Sequence, residues 1–257
     1  MPTSSNARGL TRRLTLTLTT LVSVVLTGSE VLAQTPPPPP KIWTMAAGVG
    51  VALTSGNTDT STVNASYEVA YDPHTRNVVK SDGLAIRGET NKETSADRFG
   101  LNARDEYRVN DRTYVFAQNQ YLRDRFKNIG YLLAPTGGVG YKVVDTQATK
   151  LGIDTGVGGV WEKNTGLEVR SSGAITLGEK LAHTLTATTS VTQSYSGLWK
   201  TGDFNDSLHI FAAGVAAAMS ARTQLKIELL DTYKNQPPLV TIQKNDVAIL
   251  VAFVFKM

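Results

Sequence analysis

The 257-residue chain contains no cysteine, so it holds no disulfide staple and no thiolate metal site. Beyond the first 33 residues it has no run of 18 apolar residues, which excludes helical membrane spans. Histidine is scarce: His74, His183 and His209 stand far apart, and none has Asp or Glu at the spacing of a zinc site. No Gly-x-Ser-x-Gly elbow occurs. These absences predict no resident metal, no cofactor and no catalytic residue. An excess of one charge is missing as well. Residues 1–33 carry Arg8, Arg12, Arg13 and Glu30, and without them 23 basic residues face 21 acidic ones. That near balance argues against a nucleic-acid partner.

What is present begins with a leader. A basic start precedes an apolar, threonine-rich stretch from Leu14 to Thr27, and Val31-Leu32-Ala33 offers a signal peptidase its small residues. Residues 1–33 are therefore expected to be a signal peptide. Pro36 to Pro40 favour an extended backbone without amide donors, so residues 34–41 read as a proline-rich periplasmic tether. Residues 42–257 remain for one large β domain.

In that domain apolar and polar residues alternate. Trp43, Met45, Ala47, Val49, Val51 and Leu53 face small or polar Thr44, Gly48, Gly50 and Thr54. After the loop Ser55-Gly56-Asn57-Thr58-Asp59, Val63, Ala65, Tyr67, Val69 and Tyr71 alternate with Thr62, Asn64, Ser66, Glu68 and Asp72. Period-2 alternation means a strand with one apolar and one polar face. Ten-residue strands are long for a soluble sheet and match what a tilted strand needs to cross a bilayer. Further segments are expected at 78–90, 98–109, 113–126, 131–144, 150–162, 168–178, 183–196, 207–220, 223–234 and 245–256, about twelve in all. The faces of 113–126 and 131–144 cannot be assigned from their pattern, and Asp105 interrupts an apolar row.

A soluble sandwich turns its apolar faces inward; a membrane barrel turns them to lipid. Three signs favour the barrel. Trp43, Tyr71, Tyr107, Tyr114, Tyr141, Trp161, Tyr195 and Tyr233 sit near strand ends, where interfacial girdles form. The polar rows interleave charges, with Arg104, Glu106 and Arg108 on one strand and Lys226 and Glu228 on another. Turns after even strands are tight, whereas the long connection Ser196 to Asp206 and the proline-bearing Asn235 to Gln243 fall on the other side. The fold class is thus an all-β, antiparallel, up-and-down transmembrane barrel of about twelve strands, with Arg104, Glu106, Arg108, Lys226 and Glu228 lining its lumen. Val247, Ile249, Val251, Phe253 and Phe255 form the final strand that barrel-assembly machinery would recognise, although Lys256 and Met257 follow the last aromatic.

Two clusters have chemical alternatives. Ser207 and His209 share a face by period 2, the arrangement of a barrel hydrolase acting from the outer wall, but no third member is evident. Gly202-Asp203-Phe204-Asn205-Asp206 could offer oxygen ligands to calcium, although such clusters are usually turn formers.

The Trp43 start, the phrase from Leu53 to Thr60 (LTSGNTDT), Arg123-Asp124-Arg125-Phe126 and the run Gly137-Gly138-Val139-Gly140-Tyr141 resemble the salt-induced outer membrane proteins of Gram-negative bacteria. The resemblance spans most of residues 43–257 and implies an outer-membrane barrel associated with salt or osmotic stress, with no catalytic residue to carry over. The expected function is a passive envelope component, a narrow pore or structural barrel among outer-membrane lipids that could pass small solutes. The alternatives are a barrel-embedded hydrolase and a soluble periplasmic β-sandwich that binds a ligand.

Overall fold

A computed structural model describes residues 41–55, 60–90 and 93–257. The expected leader, the tether up to Pro40 and the Gly56 to Asp59 part of the loop phrase lie outside the described residues. Twelve strands follow in order: β1 Trp43–Ser55, β2 Thr60–Tyr71, β3 Asn77–Thr90, β4 Glu93–Arg108, β5 Thr113–Asp124, β6 Ile129–Asp145, β7 Thr149–Asn164, β8 Val169–Thr184, β9 Thr189–Lys200, β10 Asp203–Ala218, β11 Thr223–Lys234 and β12 Asn245–Lys256. Among the described residues one 3-10 turn, Arg125–Lys127, interrupts this series. Each strand pairs antiparallel with its sequence neighbours, and β1 also pairs with β12 from Ala46↔Lys256 to Ser55↔Val247. The sheet therefore closes into a barrel with no free edge, which rules out the sandwich and meets the bilayer's demand that every backbone group be paired.

The side-chain pattern is inverted relative to a soluble protein. Val49, Val51, Leu53, Val63, Val139, Val157, Val215, Ile227 and Phe253 are exposed, while even-numbered Thr62, Asn64, Gln120 and Thr136 are buried. Odd positions thus form the lipid-facing wall and even positions the lumen, the arrangement of an outer-membrane barrel, except beside register shifts, where Ile129 is buried and Phe204 exposed. Asp105 faces outward near the end of β4, opposite Val79 and Ala117.

Both described chain ends lie at one end of the barrel, here the near end. Its five turns share one device: the first residue's side-chain oxygen accepts backbone N–H groups two or three residues on. Asp72 accepts from His74, Asn110 from Arg112 and Thr113, Thr146 from Thr149, Thr186 from Thr188 and Thr189, and Ser220 from Arg222 and Thr223. Side chains of this kind offer a turn its own local hydrogen bonds. At the far end the longest connection is 235–244, which by the habit of such barrels is the outward-facing end.

The break expected at 179–182 is absent, since β8 runs to Thr184 and the turn follows at 185–188. Two further expectations change, and the unassigned faces of β5 and β6 resolve. Ser196 to Asp206 is no loop: β9 runs to Lys200, β10 starts at Asp203, and only Thr201 and Gly202 join them. The polar composition of this stretch belongs to the lumen side, where charge is compatible with strand. Tyr114 leaves the aromatic girdle and points inward, buried against Gly140. Strands β5 and β6 alternate poorly because their inward positions are aromatic or aliphatic, including Tyr114, Phe116, Leu122, Leu132 and Ala134. Two apolar faces leave no hydropathy contrast to read.

Candidate functional site

The lumen divides into a charged near chamber, an apolar septum and a charged far mouth. In the near chamber Arg104 of β4 bonds Glu106 at 2.9 Å, Gln118 at 2.8 Å and Asp154 of β7 at 2.9 Å. Its guanidinium lies 3.7 Å above the Phe116 ring and 5.6 Å from that of Tyr114. Glu106 takes a second cation, Lys80 of β3, at 2.6 Å. Desolvated guanidinium stacked on an aromatic face gains attraction that it would lack in water. Lys226 and Glu228 pair with each other at 2.6 Å on β11, on the nearly opposite wall. Arg108, at the near rim, donates to the Asp72 carboxylate and to Thr75 O. The five predicted residues thus occupy even, inward positions but form three separate groups. Lys80, Gln118, Asp154, Tyr114 and Phe116 complete the first group; even-position parity marks each of them, yet their partnerships cross strands.

The aromatic pair rests on glycine. A Cβ on Gly140 would collide with the Tyr114 ring, and one on Gly138 would come within 2.8 Å of Phe116. Gly140→Leu is therefore expected to expel Tyr114 and unseat Arg104, costing about 1–3 kcal/mol as overpacking does. Thermal unfolding checks it. Gly152→Ala, whose Cβ would meet its nearest neighbour, Tyr114 Oη, at an ordinary 3.8 Å, should be tolerated.

Asp72 lies in a turn beyond the strands. Burial pushes its pKa up, but hydrogen bonds from Arg108 and the His74 amide outweigh this and hold it below the usual carboxylate range. A depressed pKa contributes stability above the unfolded value, and that stability is lost as pH falls through the folded one. Arg108→Gln should bring Asp72 back up, so the turn opens at a higher pH. Hydrogen exchange at His74 across an acid titration measures the shift.

Above the chamber every strand contributes a buried inward residue. One cluster joins Leu122, Ile129, Leu132, Ala134, Val160, Ala174, Leu198 and Leu208, all between 0% and 3% exposed. A second joins Ala52, Ile86, Leu230, Ala248 and Leu250, and Ile210 packs against both. Thr62 and Asn64 of β2 and Arg98 of β4 close the ring. Water does not reach these side chains, so the lumen is filled at this level rather than open. Nothing in the charge pattern foretold it.

The far mouth is sealed by ion pairs. Glu162 lies between Lys200 at 2.6 Å and Lys234 at 2.8 Å, and Asp206 joins both lysines at 2.6 and 3.4 Å. Arg98 bonds Asp124 at 2.8 Å and Thr232 at 2.6 Å. Asp124 also caps the 3-10 turn by accepting from the Phe126 and Lys127 amides. Lys127, fully buried, meets Asp246 at 2.8 Å and Gln243 O at 3.0 Å, tying this turn to the 235–244 connection. A cavity of about 140 Å³ remains beside Glu162, Lys234 and Pro237. Asp206 is thus engaged by lysines, and Asp203 accepts from the Asn205 amide and Gln236.

On the outer wall Ser207 and His209 do meet. His209 Nε2 is 3.0 Å from Ser207 Oγ, and its Nδ1 is 2.7 Å from Tyr195 Oη. Trp199 and Tyr233 pack on the same imidazole. Ser207 is only 4% exposed, so its hydroxyl is covered. The arrangement satisfies three polar groups in an aromatic belt, as lipid-facing polar atoms require.

Solved structures similar to this chain include outer-membrane barrels. The NanC porin aligns with a TM-score of 0.55 and 10% identity over 82% of this chain and 100% of that one. An outer membrane channel from Pseudomonas putida F1 gives 0.48 and 14% over 87% and 100%. The translocator domain of the autotransporter NalP from Neisseria meningitidis gives 0.48 and 10% over 84% and 88%. At such identities the likeness concerns the fold. Comparison with curated proteins gives no match. Residues 47–257 match the family described as protein of unknown function DUF481, and the chain belongs to that family.

Proposed function

We propose that this protein is a passive, non-enzymatic outer-membrane barrel whose lumen is closed to solutes in its resting form. The observation that carries this reading is the septum: ten of the twelve strands place a buried apolar side chain in two clusters that Ile210 joins, with Thr62 and Asn64 of β2 buried as well. A hydrophobic constriction blocks ions by excluding water even before it is sterically shut. The near chamber, where Glu68, Lys80 and Asp82 meet water, is open to small solutes up to that level. Arg104, Glu106, Arg108, Lys226 and Glu228 line it and balance its charge. Reconstitution in planar bilayers is expected to give no conductance above the empty membrane; regular porin-like steps from the unmodified protein would overturn the closed reading.

The likeness to the NanC porin supports passage as the use to which a related fold is put, and opening would then require the septum to rearrange. The hydrolase reading is disfavoured by the covered Ser207. A phospholipid hydrolysis assay in which Ser207→Ala abolishes turnover would revive it. The association with salt or osmotic stress rests on the sequence resemblance, and a deletion strain that grows normally at high salt would remove it. Export by a leader ending at Ala33 predicts a mature chain starting at Gln34, read by N-terminal sequencing of the membrane fraction. Lipids of the outer membrane and the barrel-assembly machinery are the partners this reading requires.

A further inference from the structure

The far rim of the outer wall is not uniform. On β6, β7, β9 and β11 its outward residues include Tyr131, Trp161, Trp199 and Tyr233, an aromatic girdle. On the arc from β3 to β5 the corresponding positions are charged, basic on β3 and β5 and acidic on β4. Arg87 of β3 stands directly opposite Asp97 of β4, and Arg123 of β5 is paired in register with Phe99. Arg123 reaches Asp97 at 2.7 Å, and Arg125, in the turn just beyond, reaches the same oxygen at 3.3 Å. Beneath them Phe99 and Tyr121 pack edge to face at 6.0 Å, marking the border of the apolar band. Glu89 and Glu93 lie nearer the β3–β4 turn in register.

Two guanidiniums therefore share one carboxylate oxygen at headgroup height, and Arg87 stands across from that carboxylate in register. Asp97 is only 19% exposed, whereas the Arg123 and Arg125 side chains are 41% and 56% exposed. Each guanidinium has five donors, and one carboxylate oxygen shared between Arg123 and Arg125 leaves most of their donors unspent. The wall they stand on is surrounded by membrane, so what approaches them sideways is lipid. Arginine forks match phosphate oxygens bidentately. We propose that the arc formed by Arg87, Arg123 and Arg125 is a binding site for the phosphate-bearing headgroups of the lipid leaflet around the far rim.

The test compares the full-length mature barrel with an R87Q/R123Q/R125Q variant in phosphatidylcholine nanodiscs, with lipid A added, with phosphatidylglycerol added, or with inorganic phosphate alone. Retained lipid is counted by native mass spectrometry and stability by thermal unfolding. The unmodified protein should retain lipid A and unfold later in its presence. The variant should retain it about tenfold more weakly, the loss of roughly one charge-assisted pair. Asp97→Asn, which keeps the arginines and removes the competing carboxylate, should retain as much or more. Equal retention of phosphatidylglycerol, lost in the variant, supports a phosphate site without preference for lipid A. The proposal is overturned if the variant retains lipid as the unmodified protein does, if neither anionic lipid is preferred over phosphatidylcholine, or if inorganic phosphate alone reproduces the stabilisation. Should the triple variant fail to fold, Arg125→Gln, outside the strands, carries the same comparison.

Discussion

Leu198→Ala combined with Leu208→Ala converts a silent barrel into a conducting one: this is the largest functional effect expected. Leu198 and Leu208 are paired in register across β9 and β10, both point into the septum, and each is 3% exposed. Shortening them removes packing from the septum's apolar seal without touching the ion pairs above it. Each truncation costs about 2–5 kcal/mol, since a core cavity loses both transfer and contact energy. A closed twelve-strand sheet in lipid keeps its hydrogen-bonded ladder, so folded protein should still be recovered. The gain in solute flux in a liposome-swelling assay is expected to be on the order of tenfold, because widening an apolar constriction lets water in. If the pair of alanines folds and the barrel stays silent, the septum is not what closes it. Leu229→Ala, on the lipid face of β11, should leave flux at background.

Glu162→Gln produces the largest loss of stability. Its carboxylate is 1% exposed and neutralises Lys200 and Lys234, leaving Asp206 alone against two ammonium groups once removed. Breaking a buried ion pair from one side costs about 3–5 kcal/mol, chiefly because the other charge stays buried without its partner. Thermal unfolding in detergent reads it directly. The double change Glu162→Leu and Lys234→Met should cost much less, since it removes one charge of each sign and leaves Lys200 with Asp206 at 2.6 Å. Equal destabilisation by the single and double variants would show that shape, not charge pairing, holds the mouth together.

The wall of this barrel was legible because it obeys a local rule. In β1 and β2 the odd positions from Trp43 to Leu53 and from Val63 to Tyr71 are apolar and the even ones small or polar, and lipid enforces that difference at each residue separately. Two near-end turns were legible for a related reason: Asn110 and Ser220 bond their own backbone within three residues, whereas the turn expected at 179–182 lies at 185–188. The lumen was legible only where it is polar. Arg104, Glu106 and Arg108 announced an inward row, but Tyr114 and Phe116 did not, since an aromatic lumen residue and an aromatic lipid residue look alike in sequence. The stretch from Ser196 to Asp206 misled in the opposite way, as its polar residues suit a loop and a charged barrel mouth equally.

By itself, therefore, the sequence determined a twelve-strand membrane wall and which face of most strands meets lipid, because those depend on period-2 alternation within a few residues. Only the tertiary structure decided which side chains pack inside the wall, and against what. Arg98 meets Thr232 across 134 positions and Lys234 meets Glu162 across 72. Such neighbours are set by closure of the sheet and the stagger of its register, and no local pattern encodes them.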